Sequence, residues 1–385
     1  MTAAHRSSAA GAILANVEPF TIDVPQADLD DLRDRIARTR RFPVAVAEDW
    51  SRGTPPAALD RVLAHWGGEY DWRAAERRLN LLDHQTVTVP TPEGHGLSIH
   101  VIRAGTRGKT PLLLVHGWPD GFVRFEKALP LLTDRFELIV PSIPGFAFSG
   151  KPATLLGPVG VADAFAGVMS ALGHERFGVH GADLGSQIGE QLALRHPERL
   201  LGLHLGDIPL RRLRALAASG EQISAAEQAT LDELSEWETA EGAYARLQRT
   251  KPQTIGAALD DSPAGLAAWI VEKFQAWTDG DVFDVYTLDE LCTNLTIYWV
   301  TASATSAAQY YYDNGHSALT NDAVTVPTGV AIWPKDIVHG SRASVERWFP
   351  VVQWTEQPRG GHFGPWEQPQ LWADDVRAFF DQVGA

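Results

Sequence analysis

Apolar residues recur along this chain at two spacings, and the order in which the spacings alternate outlines a fold. In residues 28–39, Leu29, Leu32 and Ile36 stand at helical spacing among charged neighbours. This predicts an amphipathic helix lying across the body of the protein ahead of the main sheet. From Gln85 the period drops to two: TVTV, a turn-rich PTPEGHG and LSIHVI predict an antiparallel hairpin with alternating faces. A fully apolar run, PLLLV at 111–115, predicts a buried strand that runs straight into His116-Gly117-Trp118-Pro119. Strand-like runs at 136–140, 177–180 and 200–205 then alternate with helical patterns at 161–172 and 186–195. In the first of these helices Val161, Phe165, Val168, Met169 and Leu172 share a face. Apolar strands separated by helices predict an α/β protein whose sheet is mostly parallel and covered on both faces.

Between about Pro209 and Asn321 the rhythm breaks into helical, tryptophan-bearing stretches such as 267–277 and 288–312, with no strand signal between them. This reads as a cap inserted into the sheet domain. Strand-like runs resume at 330–333 and 351–354, and a final helix sets Trp372, Val376, Phe379 and Phe380 on one side. The expected division is a leader and helical meander over 1–84, the first part of the core over 85–208, a helical cap over 209–321 and the rest of the core over 322–385.

Composition narrows the partners. With 385 residues and 44% hydrophobic content the chain can bury a large core. Its 33 basic and 48 acidic residues give a net charge of −15, which repels nucleic-acid phosphates and anionic lipid. Cys292 is the only cysteine, which excludes an internal disulfide and a cysteine-rich zinc site and fits a reducing cytoplasm. The first fifteen or so residues read as a leader whose apolar stretch, 9–17, is too short to span a bilayer. Nowhere else does an uncharged run approach the roughly 20 residues a membrane helix needs. No membrane partner and no internal repeat are expected.

Gly181-Ala182-Asp183-Leu184-Gly185 stands at a strand end and opens a helix, the setting of a nucleophile elbow with aspartate in place of the usual serine. The pentapeptide alone fits equally well a plain strand-to-helix turn capped by Asp183. A carboxylate attacks an ester poorly but opens a strained carbon centre well, leaving an alkyl-enzyme ester. Hydrolysing such an ester requires a base to activate water and a partner to orient that base. His362 in GGHF and Asp336 in WPKD each follow a late strand, so both should emerge at the sheet edge that carries Asp183. Two amide donors are needed for the charge on the ester carbonyl, and the N–H groups of Trp118 and Leu184 are the natural pair; Pro119 would fix the first of these loops.

Several stretches together resemble the microsomal-type, juvenile-hormone-like epoxide hydrolases of the α/β-hydrolase superfamily. They are HGWPD, PSIPGFAFSG, GADLGS, TKPQTIGAALDDSPAGLAAWIVEKF, TNLTIYW, VPTGVAIWP and GGHFGPWEQP. The likeness runs from the N-terminal meander to the last helix. It implies an α/β-hydrolase fold and conversion of an epoxide and water to a vicinal diol, with no cofactor and no metal. It also implies that two cap tyrosines hold and protonate the epoxide oxygen; the matching positions are Tyr244 and Tyr311, the latter flanked by Tyr310 and Tyr312 at a possible one-residue slip. Phenol donors suit that task, because an alkoxide is a poor leaving group.

The departures are Leu184 where the family carries tryptophan, Gln309 in place of an arginine near Tyr311, and no strong N-terminal membrane anchor. The last implies a soluble protein. Thirteen tryptophans, Trp269, Trp277, Trp299, Trp333 and Trp366 among them, point to an apolar pocket for aryl or polycyclic epoxides. Trp118, Pro119, Trp299 and Trp333 are the expected substrate contacts. The Ala-, Gly- and Arg-rich composition fits a bacterium in which such enzymes serve secondary metabolism, and a homodimer is left open. A haloalkane dehalogenase shares the aspartate, base and fold but cradles its halide with a tryptophan beside the nucleophile, where Leu184 has no donor. A catalytically inactive binding protein of the same fold is the remaining alternative; the intact set of reactive residues speaks against it.

Overall fold

Each apolar run named above is a strand of one nine-stranded sheet, in the order β1-β2-β3-β5-β4-β6-β7-β8-β9. The strands are β1 Asn16–Pro19, β2 Asp83–Pro90, β3 Gly96–Ala104, β4 Thr110–Val115, β5 Phe136–Pro141, β6 Phe177–Gly181, β7 Leu200–Leu205, β8 Thr328–Ile332 and β9 Val351–Glu356. The computed structural model describes residues 16–41, 47–91, 94–154, 156–318, 320 and 322–385. The expected leader therefore lies outside the described residues, as does part of the PTPEGHG turn.

The first four strands of the sheet order pair antiparallel, from β1 through β2 and β3 to β5. From β5 through β4 to β9 every pair is parallel. Parallel strands must be joined by crossovers; the helices Gly157–Ala171 and Leu184–Arg195 supply two of them, and the final helix, Pro369–Gln382, adds to the cover of the sheet. All residues of β5 and β6 are buried accordingly. Because β4 lies between β5 and β6, the chain leaves its carboxyl end in one direction and the end of β6 in the other. A crevice opens at such a switch point, beyond the carboxyl ends of the strands.

Between β7 and β8 the described chain is helical, from Leu210–Ser219 to Ser303–His316, and this insertion roofs the crevice. The early helix, Gln26–Ala37, buries Leu29, Leu32 and Ile36 and packs against Pro263–Trp277 and Leu288–Val300 of the insertion. Arg35 of that helix also pairs with Asp261 of the insertion at 2.8 Å.

Two features depart from the periodicity. Strand β1 was not foreseen: its four residues are all exposed, so it has no apolar alternation to betray it, and it exists through pairing with β2. The helical stretch read over 288–312 is two helices, Leu288–Val300 and Ser303–His316. Between them Ala302 adopts a left-handed backbone, φ 45°, that no helix can continue through. Among the described residues no helix is long and apolar enough to cross a membrane.

Candidate active site

Asp183 is the residue between β6 and the helix Leu184–Arg195, with φ 56° and ψ −119°. A residue with a Cβ adopts this conformation only under strain that the surroundings must hold, a state that recurs at reactive centres. The neighbouring glycines permit it. A Cβ at Gly117 would stand 2.5 Å from the Cβ of Asp183, and one at Gly185 would stand 2.3 Å from the Val115 carbonyl oxygen. The loop after β4 and the turn after β6 can therefore touch.

That contact is chemical. The backbone N–H of Trp118 donates to Oδ1 of Asp183 at 2.9 Å, and the Leu184 N–H favours the same carboxylate. Burial raises the Asp183 carboxyl above its ordinary range, while His362 and these two N–H groups oppose the shift. The other oxygen, Oδ2, lies 3.8 Å from Nε2 of His362. On the far side of the ring Nδ1 of His362 donates to Oδ1 of Asp336 at 2.6 Å, and that oxygen also accepts the Ile337 N–H at 2.7 Å. Burial works against the charged imidazole, but Asp336 by charge and hydrogen bond, with Asp183 beyond, raises it to about 9. His362, Asp336 and Asp183 thus form one line.

The histidine loop is held from several sides. Its N–H donates to the Trp277 carbonyl at 2.8 Å, its carbonyl accepts from Arg124 at 3.1 Å, and Glu367 takes the N–H groups of Gly361 and Phe363 at 3.0 Å each. Arg124 is paired in turn with Asp120 at 3.0 Å, so the loop after β4 and the histidine loop share one buried ion pair.

The insertion brings Tyr244 and Tyr311 over Asp183. The ring of Trp118 stacks on Tyr244 at 4.9 Å and meets Tyr311 edge-on at 5.8 Å, and the two phenols lie 6.0 Å apart, ring to ring. Both line the cleft with Asp183 and His362, and burial holds both in the neutral, donor form. The neighbours of Tyr311 face elsewhere. Tyr310 borders a separate depression with Gln309 and Asp313, and Tyr312 stacks on His316 at 3.9 Å.

Two expected substrate contacts, Trp299 and Trp333, are corrected. Trp299 packs beneath the guanidinium of Arg35, 5.6 Å from the ring. Trp333 is the bed of the histidine loop: a Cβ at Gly360 or Gly364 would come within 2.8 Å or 2.4 Å of its ring. Pro119 is buried, and its carbonyl accepts from Asn294 of the insertion at 2.9 Å. Trp118, by contrast, does meet the site.

Other cleft residues escaped the sequence reading. Trp237 lines the cleft and lies edge-on to Tyr244 at 6.2 Å. Asp207, two residues beyond β7, accepts the backbone N–H of Asp183 at 2.7 Å. Its signal was present, because an acid just after a strand end is what drew notice to Asp336. The outer cleft is also less apolar than the tryptophan content suggests, with Gln187, Arg211, Arg214, Arg249 and Asn314 on its walls. Among the described residues no group of three or more His, Cys, Asp or Glu side chains is arranged to hold a metal ion.

A strained residue at the switch point of such a sheet, facing a histidine–carboxylate pair, defines an α/β-hydrolase whose nucleophile position is aspartate. Comparison with known proteins agrees: residues 110–369 match the alpha/beta hydrolase fold family, and residues 17–125 match the family described as epoxide hydrolase N terminus. The chain is 37% identical to a relative from Stigmatella aurantiaca over 96% of this chain and 86% of that one. It is 33% identical to epoxide hydrolase 1 of Sus scrofa, with 94% and 88% covered. The crystal structure of juvenile hormone epoxide hydrolase from Bombyx mori superposes with a TM-score of 0.85 at 30% identity, covering 96% of this chain and 95% of that one. This protein belongs to the epoxide hydrolase family.

Proposed function

We propose that the protein hydrolyses an aryl-bearing epoxide to a vicinal diol in two steps, within a cleft roofed by the cap over residues 209–321. The observation that carries the reading is the placement of the Asp183 carboxylate, with a histidine–carboxylate pair on one side and two phenols above. Oδ1 is tied to the Trp118 N–H, so Oδ2 is the attacking oxygen. It bonds to an epoxide carbon, the C–O bond of the ring breaks, and the leaving oxygen takes a proton from Tyr244 or Tyr311, which is restored from solvent.

Esterification removes the charge of Asp183. His362 then loses one of the charges that hold its proton and becomes the base, with Asp336 still orienting it. Its Nε2 takes a proton from water, the hydroxide adds to the ester carbon, and the Trp118 and Leu184 N–H groups hold the developing oxyanion. The bond from the ester carbon to the alkyl oxygen then breaks, the leaving alkoxide takes the proton of the new carboxylic acid, and the neutral diol departs from the restored carboxylate. The stacked Trp118 and Tyr244 rings favour an apolar or aryl group next to the epoxide. The lone cysteine, Cys292, is buried and unpaired, which suits a cytoplasmic setting.

The test is to replace His362 by Gln and expose the protein to styrene oxide. Intact-protein mass spectrometry should show an adduct of one substrate mass, and that adduct should be absent when Asp183 is also changed to Asn. Wild-type turnover by the His362 variant would refute the assignment of the base.

A further inference from the structure

The cleft that ends at Asp183 passes between arginines on its way out. Arg214 is neutralised by Glu238 at 2.6 Å, and the nearby Glu190 is taken by Arg212 at 2.8 Å. Arg211 and Arg249 are different. Among the described residues neither makes an ion pair; Arg211 gives one hydrogen bond, to the Ser317 carbonyl, and Arg249 gives none. Both are half-buried, and burial lowers the pKa of each below that of a free guanidinium.

Arg249 is also held in place. It stands five residues beyond Tyr244 on the helix Ala243–Thr250, roughly 7.5 Å along the axis. Its stem lies against Gly315, one turn beyond Tyr311 on the helix Ser303–His316. The two helices that carry the phenols therefore also fix a guanidinium at the cleft wall.

Glu190 favours the charge of Arg211 and Glu238 that of Arg249, yet burial outweighs both, and a partly desolvated cation without a salt-bridge partner destabilises a fold unless something else pairs with it. In a protein of net charge −15, two such cations converge on one cleft. We infer that Arg211 and Arg249 bind a carboxylate at the far end of the substrate, so that the protein acts on epoxy acids in preference to wholly apolar epoxides. The inference rests on the epoxide-hydrolase reading and adds a second recognition point to it. The planar guanidinium matches a carboxylate, and the mutual repulsion of Arg214 and Arg249 is relieved when the anion binds.

The experiment measures kcat/KM for para-oxiranylbenzoate and for the terminal epoxide of octanoate, each against its methyl ester. With the wild-type protein at low ionic strength at least one acid should exceed its ester by about tenfold, the worth of one charge-assisted hydrogen bond. Added salt should shrink that ratio while leaving the ester's own value nearly unchanged. Arg249→Met and Arg211→Met should each lower the ratio several-fold, and Arg249→Lys should retain part of it. Esters turned over as well as both acids by the wild-type protein would overturn the anion site and leave the epoxide-hydrolase reading standing. A ratio unmoved by either methionine variant would likewise overturn it. No turnover of any acid or ester would overturn the underlying reading and this inference with it.

Discussion

Oδ2 of Asp207 accepts the backbone N–H of Asp183 at 2.7 Å, which ties the strained residue at the end of β6 to the end of its neighbour β7. The other oxygen of Asp207 contacts the Ser186 hydroxyl, which lies 3.1 Å from the Gly181 carbonyl. A hydroxyl has one proton, so Ser186 can donate to Gly181 only if Asp207 is itself protonated and donates to Ser186. Removal from water, with Asp336 and Asp183 nearby, raises Asp207 to about 8 and favours that form.

Asparagine reproduces the protonated acid at this position. Between the ordinary value of 3.8 and about 8 the folded protein holds a proton that the unfolded chain releases, so the contribution of Asp207 is fully present below 3.8 and is lost as pH rises through 8. Asp207→Asn should therefore raise the Tm at pH 7, and the gain should vanish toward pH 4. Asp207→Ala leaves the Asp183 N–H without its partner and should be less stable than the asparagine variant by about 1–3 kcal/mol. Equal melting of the two variants across that range would show that the tie is idle.

The two phenols should be separable from their neighbour. Tyr244→Phe and Tyr311→Phe each remove a donor above Asp183, and each should lower single-turnover ring opening by roughly 10²-fold, the usual cost of one oxyanion donor. Tyr310 borders a different depression, so Tyr310→Phe should react within about threefold of the parent. A large loss in the Tyr310 variant with none in the Tyr311 variant would reassign the donor.

Isotopic labelling reads the covalent route directly. In a single turnover in ¹⁸O-water, the label should appear in the side chain of Asp183, and the diol should carry unlabelled oxygen from the carboxylate. Label in the diol on the first turnover would mean direct attack by water, with Asp183 as a base.

Acid should unfold this protein early. His100, His116 and His180 are buried and neutral, with burial holding His100 and His180 well below the ordinary 6.5 and His116 at about 3. Trp372 donates to Nε2 of His180 at 3.0 Å, so Nδ1 carries the proton and donates to His204 at 2.9 Å; His204 then donates to Asp375 at 2.8 Å. His180 cannot gain a proton without breaking that chain, so it stays neutral with His100 and His116. Their contribution is complete above pH 6.5 and declines as pH falls, by about 1.4 kcal/mol per pH unit for each group. Urea midpoints measured from pH 7 to pH 5 should fall steeply; a flat profile would contradict the buried, neutral assignment.

The order of strands and helices, a helical interruption before the last two strands and the meeting of Asp183, Asp336 and His362 at one sheet edge were legible in the chain itself. Burial imposes a period, and reactive groups of this fold class stand just after strand ends, where a linear pattern can mark them. Direction around a helix is another matter. Tyr310, Tyr311 and Tyr312 are consecutive, yet about 100° separates each from the next, and only packing of the helix Ser303–His316 turned the middle one to the cleft. Trp299 and Trp333 carry the same apolar signal as Trp118, but the partners that claimed them, Arg35 and the histidine loop, lie far away in the chain. Whether Arg249 has a salt-bridge partner and whether Asp207 meets Asp183 depend on the same long-range contacts. Local sequence determines what each residue can do; the assembled sheet and its roof decided which residues face one another.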